Sequence, residues 1–223
     1  AKPYAEEHNI TFHEIIKKKG RKPRKGIPDE RPQETVYSRA MADNRTIGIP
    51  IFMPGSGAPS RRNCTVDFKI MQVNRVAREL GATNEAPAQI GIGISLDEFQ
   101  RMSSNDPERL YVQKVYPLID LRLTRADCEN IIRRAGLPVP PKSSCYFCPF
   151  HSMATWHELK NKQPELFNKA VEMEKALNRK RTKIGKDAVW LTRKMRPLGQ
   201  VIGDQADMFE DIDDACESGF CMT

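Results

Sequence analysis

No apolar run in this chain approaches the ~18 residues that span a bilayer, and the opening AKPYAEEHNITFHEI has no hydrophobic stretch of the kind that directs secretion. Both absences argue against a membrane-inserted or exported protein and predict a soluble, cytoplasmic one. No internal repeat is present, so a solenoid is not expected. Nor does the chain need covalent staples, because 223 residues are enough to bury a proper hydrophobic core. In a reducing compartment, six cysteines with two of them spaced C-x-x-C therefore point to metal ligation or redox chemistry rather than to disulfides.

The last twenty residues lack lysine and arginine altogether. They hold seven of the 29 acids (Asp204, Asp207, Glu210, Asp211, Asp213, Asp214 and Glu217) against 36 Lys and Arg in the whole chain, so residues 1–203 stand near +14. A body this basic suggests a polyanionic ligand, either the phosphates of a nucleotide or a nucleic acid. The run KKKGRKPRK at 17–25 fits that role and equally fits a solvated surface. The acidic end reads as a solvating tail or as a cover for the basic face.

Along the chain, strand-like and helical patterns alternate. ITFHEII at 10–16 reads as a short strand after a helix end, and a mobile basic loop runs from Lys17 to Pro32. Helices are expected near 34–42 and from Phe68 to Leu80, the second ended by Gly81. IGIGIS at 90–95 reads as a buried strand, with Ser95 and Glu98 as the capping box of the next helix. KVYPLID at 114–120 reads as a strand leading to a second capping box, Thr124 and Asp127, and a helix that stops at Gly136. Two further helices, near 152–161 and 164–181, are parted by Pro164. Strand alternating with helix predicts a parallel α/β sheet of doubly wound type over 1–150, a helical extension over 151–203 and an acidic tail over 204–223.

The sharpest chemical signal is Cys145-Tyr-Phe-Cys148, since two thiolates three positions apart on a turn reach one metal ion at ~2.3 Å without strain. A zinc or iron-sulfur centre needs about four such ligands. Cys64 and Cys128 are the other cysteines inside the folded body, with buried apolar thiols as the alternative reading; Cys128 lies where a helix N-terminus favours a thiolate. Cys216 and Cys221, spaced Cys-x4-Cys, either complete that site, supply an attacking thiol at Cys221, or stay inert. His151 is a ligand or a hydrogen-bonding neighbour of the centre. In PGSGAPSRRNCTVDFK, the glycines allow close backbone approach, and Arg61, Arg62 and Lys69 offer charge to a phosphate; a solvated basic loop has the same composition.

Taken in order, SRRNCTVDFKI (60–70), GIGISLDEFQRM (91–102), VYPLID (115–120), LTRADC (123–128) and PPKSSCYFCPFHSMATW (140–156) resemble the phosphoadenosine phosphosulfate reductase-like family, in its phage and bacterial branch. The resemblance covers about residues 3–175. It implies an adenine nucleotide α-hydrolase fold and ATP or adenylyl sulfate as substrate. It also implies a [4Fe-4S] cluster or zinc held by Cys64, Cys128, Cys145 and Cys148, since 80 residues separate Cys64 from Cys145, much as in the cluster-bearing members. Arg61, Arg62, Lys69, Ser95 and Arg101 would then line the nucleotide and its phosphates, with Cys221 as the catalytic thiol of a reductase or sulfurtransferase. Two family features are missing: a phosphate loop resembling S-G-G-x-D-S, which implies further residues upstream of Ala1, and the usual tail around the nucleophile. The rival expectation is a metal-stabilised nucleic-acid-binding module, or a scaffolding module for a partner subunit, without catalysis.

Overall fold

Pro164 opens the longest helix among the described residues, where its missing N–H has no role to fill, and an apolar stripe then decides which side of that helix is buried. The computed structural model describes residues 2–20, 24, 26, 28–42, 48–56, 59–104, 109–140 and 143–203. In chain order its elements are α1 (Lys2–Glu7), α2 (Val36–Met41), α3 (Asn63–Thr65) and a π-helical turn, Val66–Ile70, leading into α4 (Met71–Glu79). Next come β1 (Ala88–Gly91), a 3-10 segment (Leu96–Arg101), β2 (Val112–Val115), α5 (Pro117–Asp120), α6 (Arg125–Arg134), α7 (Met153–Lys162), α8 (Pro164–Lys183) and α9 (Leu198–Val201).

The protein is a mixed α/β chain. β1 and β2 pair in parallel with Ala88 opposite Val112 and Gly91 opposite Val115, and they are the two strands of the sheet among the described residues. Parallel strands need a crossover connection, which the 3-10 segment supplies here. The expected strand at 10–16 is not formed: Ile10, Phe12 and Ile16 alternate correctly but remain exposed, because no ladder partner lies beside them among the described residues. The strand expected over 114–120 stops at Val115, since Pro117 cannot donate to a ladder and instead opens α5.

The capping box of α6 forms as its sequence predicts. The Thr124 side chain accepts from the Asp127 N–H, the Asp127 carboxylate accepts from Thr124, and Gly136 at φ 72° ends the helix. The box expected at Ser95 does not form. Ser95 makes no side-chain cap, and Glu98 instead pairs with Arg101 at 2.7 Å, one turn on. Asp97 takes up a longer-range role, accepting from the backbone N–H of Arg125 at 2.9 Å and so tying the 3-10 segment to the start of α6. Burial pushes the Asp97 carboxyl up, but that bond and the Ser95 hydroxyl outweigh it and hold the group below its ordinary value.

The main core crosses the boundary expected at residue 150. Ala40, Ile49, Ile51 and Phe147 pack with Trp156, Phe167, Met173 and Leu177 of α7 and α8 and with Val189, Leu191, Leu198 and Val201 beyond them. Each large side chain in that cluster contributes ~1.5–3 kcal/mol through burial. The N-terminal basic loop is pinned at its base, where Lys18 bridges Gln33 and the Lys19 N–H donates to Pro32 at 2.9 Å. Arg31 closes on Asp29 at 2.8 Å, and this hydrogen bond holds the Asp29 carboxyl far below the usual carboxylate range.

Candidate functional site

The C-x-x-C segment is a tight turn in which the Cys148 N–H donates to the Cys145 carbonyl at 2.9 Å and the His151 N–H to Cys148 at 3.1 Å. Its two middle residues fix it to the core. Phe147 is buried, Tyr146 meets it edge-on at 4.9 Å, and Tyr37 of α2 lies 6.0 Å from both rings. With those rings turned inward, Cys145 is exposed and Cys148 half-buried, and both are thiols rather than disulfides. Burial pushes the Tyr146 hydroxyl up, helped by Tyr37 and then by Cys145. His151 spends Nε2 on the Cys145 carbonyl at 2.9 Å, so that nitrogen is the N–H donor, and its ring stands edge-on to Trp156 at 4.9 Å. In this arrangement His151 braces the turn.

The SRRNC segment is brought to the same place. Ser60 anchors its start by exchanging backbone and hydroxyl bonds with Ile51 at 2.8 and 3.1 Å. The Arg62 guanidinium then lies 4.6 Å over the ring of Phe150, two residues past Cys148. Cys64 is half-buried against the same core cluster that takes Tyr146 and Phe147. Arg62 Nη1 is buried with no hydrogen-bond partner among the described residues, whereas Arg61 is exposed. Lys69 is also exposed, on the π-helical turn, a distortion that concentrates at functional positions. Within that turn the cations of Lys17 and Arg39 both lie over the ring of Phe68, at 4.4 and 4.5 Å from its centroid, and Arg39 is itself held by Glu34 and Asp67. This network orients the turn behind the arginine loop.

The remaining expected site residues lie elsewhere. Ser95 and Arg101 are both buried, and Arg101 is engaged with Glu98. Cys128 is half-buried in the first turn of α6, its N–H on the Thr124 carbonyl at 3.1 Å, and does not belong to the core cluster that Cys64 joins. Cys216 and Cys221 lie outside the described residues. Among the described residues no group of three or more His, Cys, Asp or Glu side chains is arranged to hold a metal ion. Among the described residues, Cys64 and Cys128 are therefore not gathered with Cys145 and Cys148 into such a group.

Two features escape the sequence pattern. Glu174 lies in the apolar stripe of α8, 3% exposed, and its carboxylate accepts the backbone N–H groups of Leu191 and Leu198, each at 2.8 Å. The only sequence signal is an acid at a stripe position. An open cleft of about 440 Å³ also separates residues 12–18 from α4, lined by His13, Glu14, Lys18, Asp29, Arg75 and Glu79 among others. Arg75 Nε is buried there without a hydrogen-bond partner among the described residues. The described residues contain no helix long and apolar enough to cross a membrane. No family model, no curated protein and no solved structure matches the chain.

Proposed function

We propose that this chain binds an adenine nucleotide and carries a cysteine-ligated iron-sulfur or zinc centre at the Cys145–Cys148 turn, in nucleotide-activating sulfur chemistry like that of the phosphoadenosine phosphosulfate reductase-like proteins it resembles. The supporting observation is the contact of Arg62 with Phe150, which places the arginine loop against the turn that holds the two thiols. On this reading the two described strands belong to a doubly wound sheet, and ATP or adenylyl sulfate is the substrate.

Cys145 and Cys148 would supply two ligands of the centre; Cys64 and Cys128, expected as the other two, are not gathered with them among the described residues. The centre, when bound, supplies either electron transfer or Lewis-acid polarisation of the sulfur-bearing group. The chain's own residues position the charge. Arg61 offers a planar fork to phosphate or sulfate oxygens, and Arg62, whose guanidinium lies 4.6 Å over the Phe150 ring, offers a second. Lys69 adds a point charge from the π-helical turn. Ser95 and Arg101, both buried and the latter paired with Glu98, would order the 3-10 segment rather than touch phosphate, and Cys221 is the proposed attacking thiol.

The arginine loop is tested by calorimetric titration of ATP into wild type and R61A/R62A at fixed salt. The double substitution is expected to weaken binding by roughly 2 to 4 kcal/mol, taking ~1.5–3 kcal/mol for each hydrogen bond to a charged group and allowing for non-additivity. Metal content should not change, because neither residue is a ligand. Equal affinities in the two proteins would make the loop a solvated turn and remove the nucleotide from this reading.

A further inference from the structure

The segment that follows α8 turns back along it and is fastened at each step. Asn178 exchanges both amide bonds with the backbone of Val189, at 2.9 and 2.8 Å, and Trp190 pairs through both backbone groups with Phe52, at 3.0 and 2.9 Å. Glu174 then joins the two feet of the next loop, taking the Leu191 N–H at Oε2 and the Leu198 N–H at Oε1. Both leucines are buried. Between them Arg193, Lys194, Met195 and Arg196 are exposed in succession. The loop's bend is set by the Met195 N–H donating to the Thr192 carbonyl at 3.1 Å, with Met195 itself at φ 51°. A non-glycine residue in that left-handed region persists where its surroundings determine it, and such positions gather at functional sites.

We propose that the loop Leu191–Leu198 is a nucleic-acid-binding element in which Arg193, Lys194 and Arg196 contact phosphates of the polynucleotide backbone. Three cations in four residues on a fixed base have little backbone entropy to lose on binding. The surrounding body, near +14 over residues 1–203, raises the local concentration of any polyanion. Contacts of this kind position a nucleic acid without reading its bases, so the loop is expected to be indifferent to sequence. The assignment rests on the loop's own cations and does not depend on the nucleotide assignment.

The test is fluorescence anisotropy with a short labelled DNA duplex of mixed sequence, titrated with wild type, R193A/K194A/R196A and the charge-matched control R122A/R133A/R134A across a salt series. All six positions are exposed. The loop variant is expected to bind about tenfold or more weakly at fixed salt, and to flatten the slope of log K against log salt by about 2 to 3. The control should stay within about twofold of wild type. The assignment is overturned if wild type does not bind the duplex, if the loop variant binds like wild type, or if the control loses as much affinity as the loop variant.

Discussion

Glu174→Ala is expected to lower the free energy of unfolding by about 2 to 5 kcal/mol, read from urea titrations of the two proteins. The carboxylate satisfies two buried backbone donors at once, and each donor left without a partner costs ~1–3 kcal/mol. The penalty is concentrated in one place, because Leu191 and Leu198 are the buried feet of the same loop and both are released together. The effect should also depend on pH. Burial raises the Glu174 pKa above its ordinary value of 4.5, against the two N–H bonds that lower it. A carboxyl that binds its proton more tightly in the folded state supports the fold fully below its unfolded pKa, and loses that support as pH rises through the raised folded value. The stability gap between wild type and Glu174→Ala is therefore expected to be wider at pH 4 than at pH 8. A gap that widens with rising pH would mean that the carboxylate is stabilised, not strained, by its site.

Trp156→Ala is expected to cost about 3 to 5 kcal/mol, the range for emptying an indole-sized site in a packed core. The ring is completely buried between His151 and Phe167, which it meets at 4.9 and 6.5 Å. Its Nε1 has no hydrogen-bond partner among the described residues, so the loss is one of packing. Trp156→Phe should accordingly retain most of the stability. Thermal melts of the three proteins check this order, and a Trp156→Phe loss equal to that of Trp156→Ala would show that the nitrogen matters after all. Trp156 also backs the ring that braces the C-x-x-C turn, so, on the proposed function, the alanine variant should hold its metal less tightly as well as melt lower.

The parts of the fold written in local chemistry were legible in the sequence. Thr124 and Asp127 cap α6, Gly136 ends it, and Pro164 separates α7 from α8, because each of those signals acts within one turn of its own backbone. Ser95 and Glu98 carry the same spacing and do not make the box, since Glu98 finds the Arg101 cation at one turn's distance and Asp97 is drawn to the backbone of α6. ITFHEII has a strand's alternation but no ladder partner among the described residues. The core could not be divided at residue 150 from composition alone: the apolar faces of α7 and α8 select Ile49, Ile51 and Phe147 through shape, which no spacing records. For the site, the thiol pair and the arginine loop were visible as motifs. Their proximity, through Arg62 on Phe150, is a tertiary contact between distant segments. The clamp made by Glu174 was hidden because one acid in an apolar stripe has no local partner to announce it.

The most direct measurement is the metal and acid-labile sulfide content of the full chain purified without oxygen, compared with C145S/C148S. The proposed function predicts about one zinc, or about four iron and four sulfide, per wild-type chain and none in the double variant, which should also melt at lower temperature because ligand binding contributes to folding. Wild-type protein free of metal, melting at the same temperature as C145S/C148S, would contradict it.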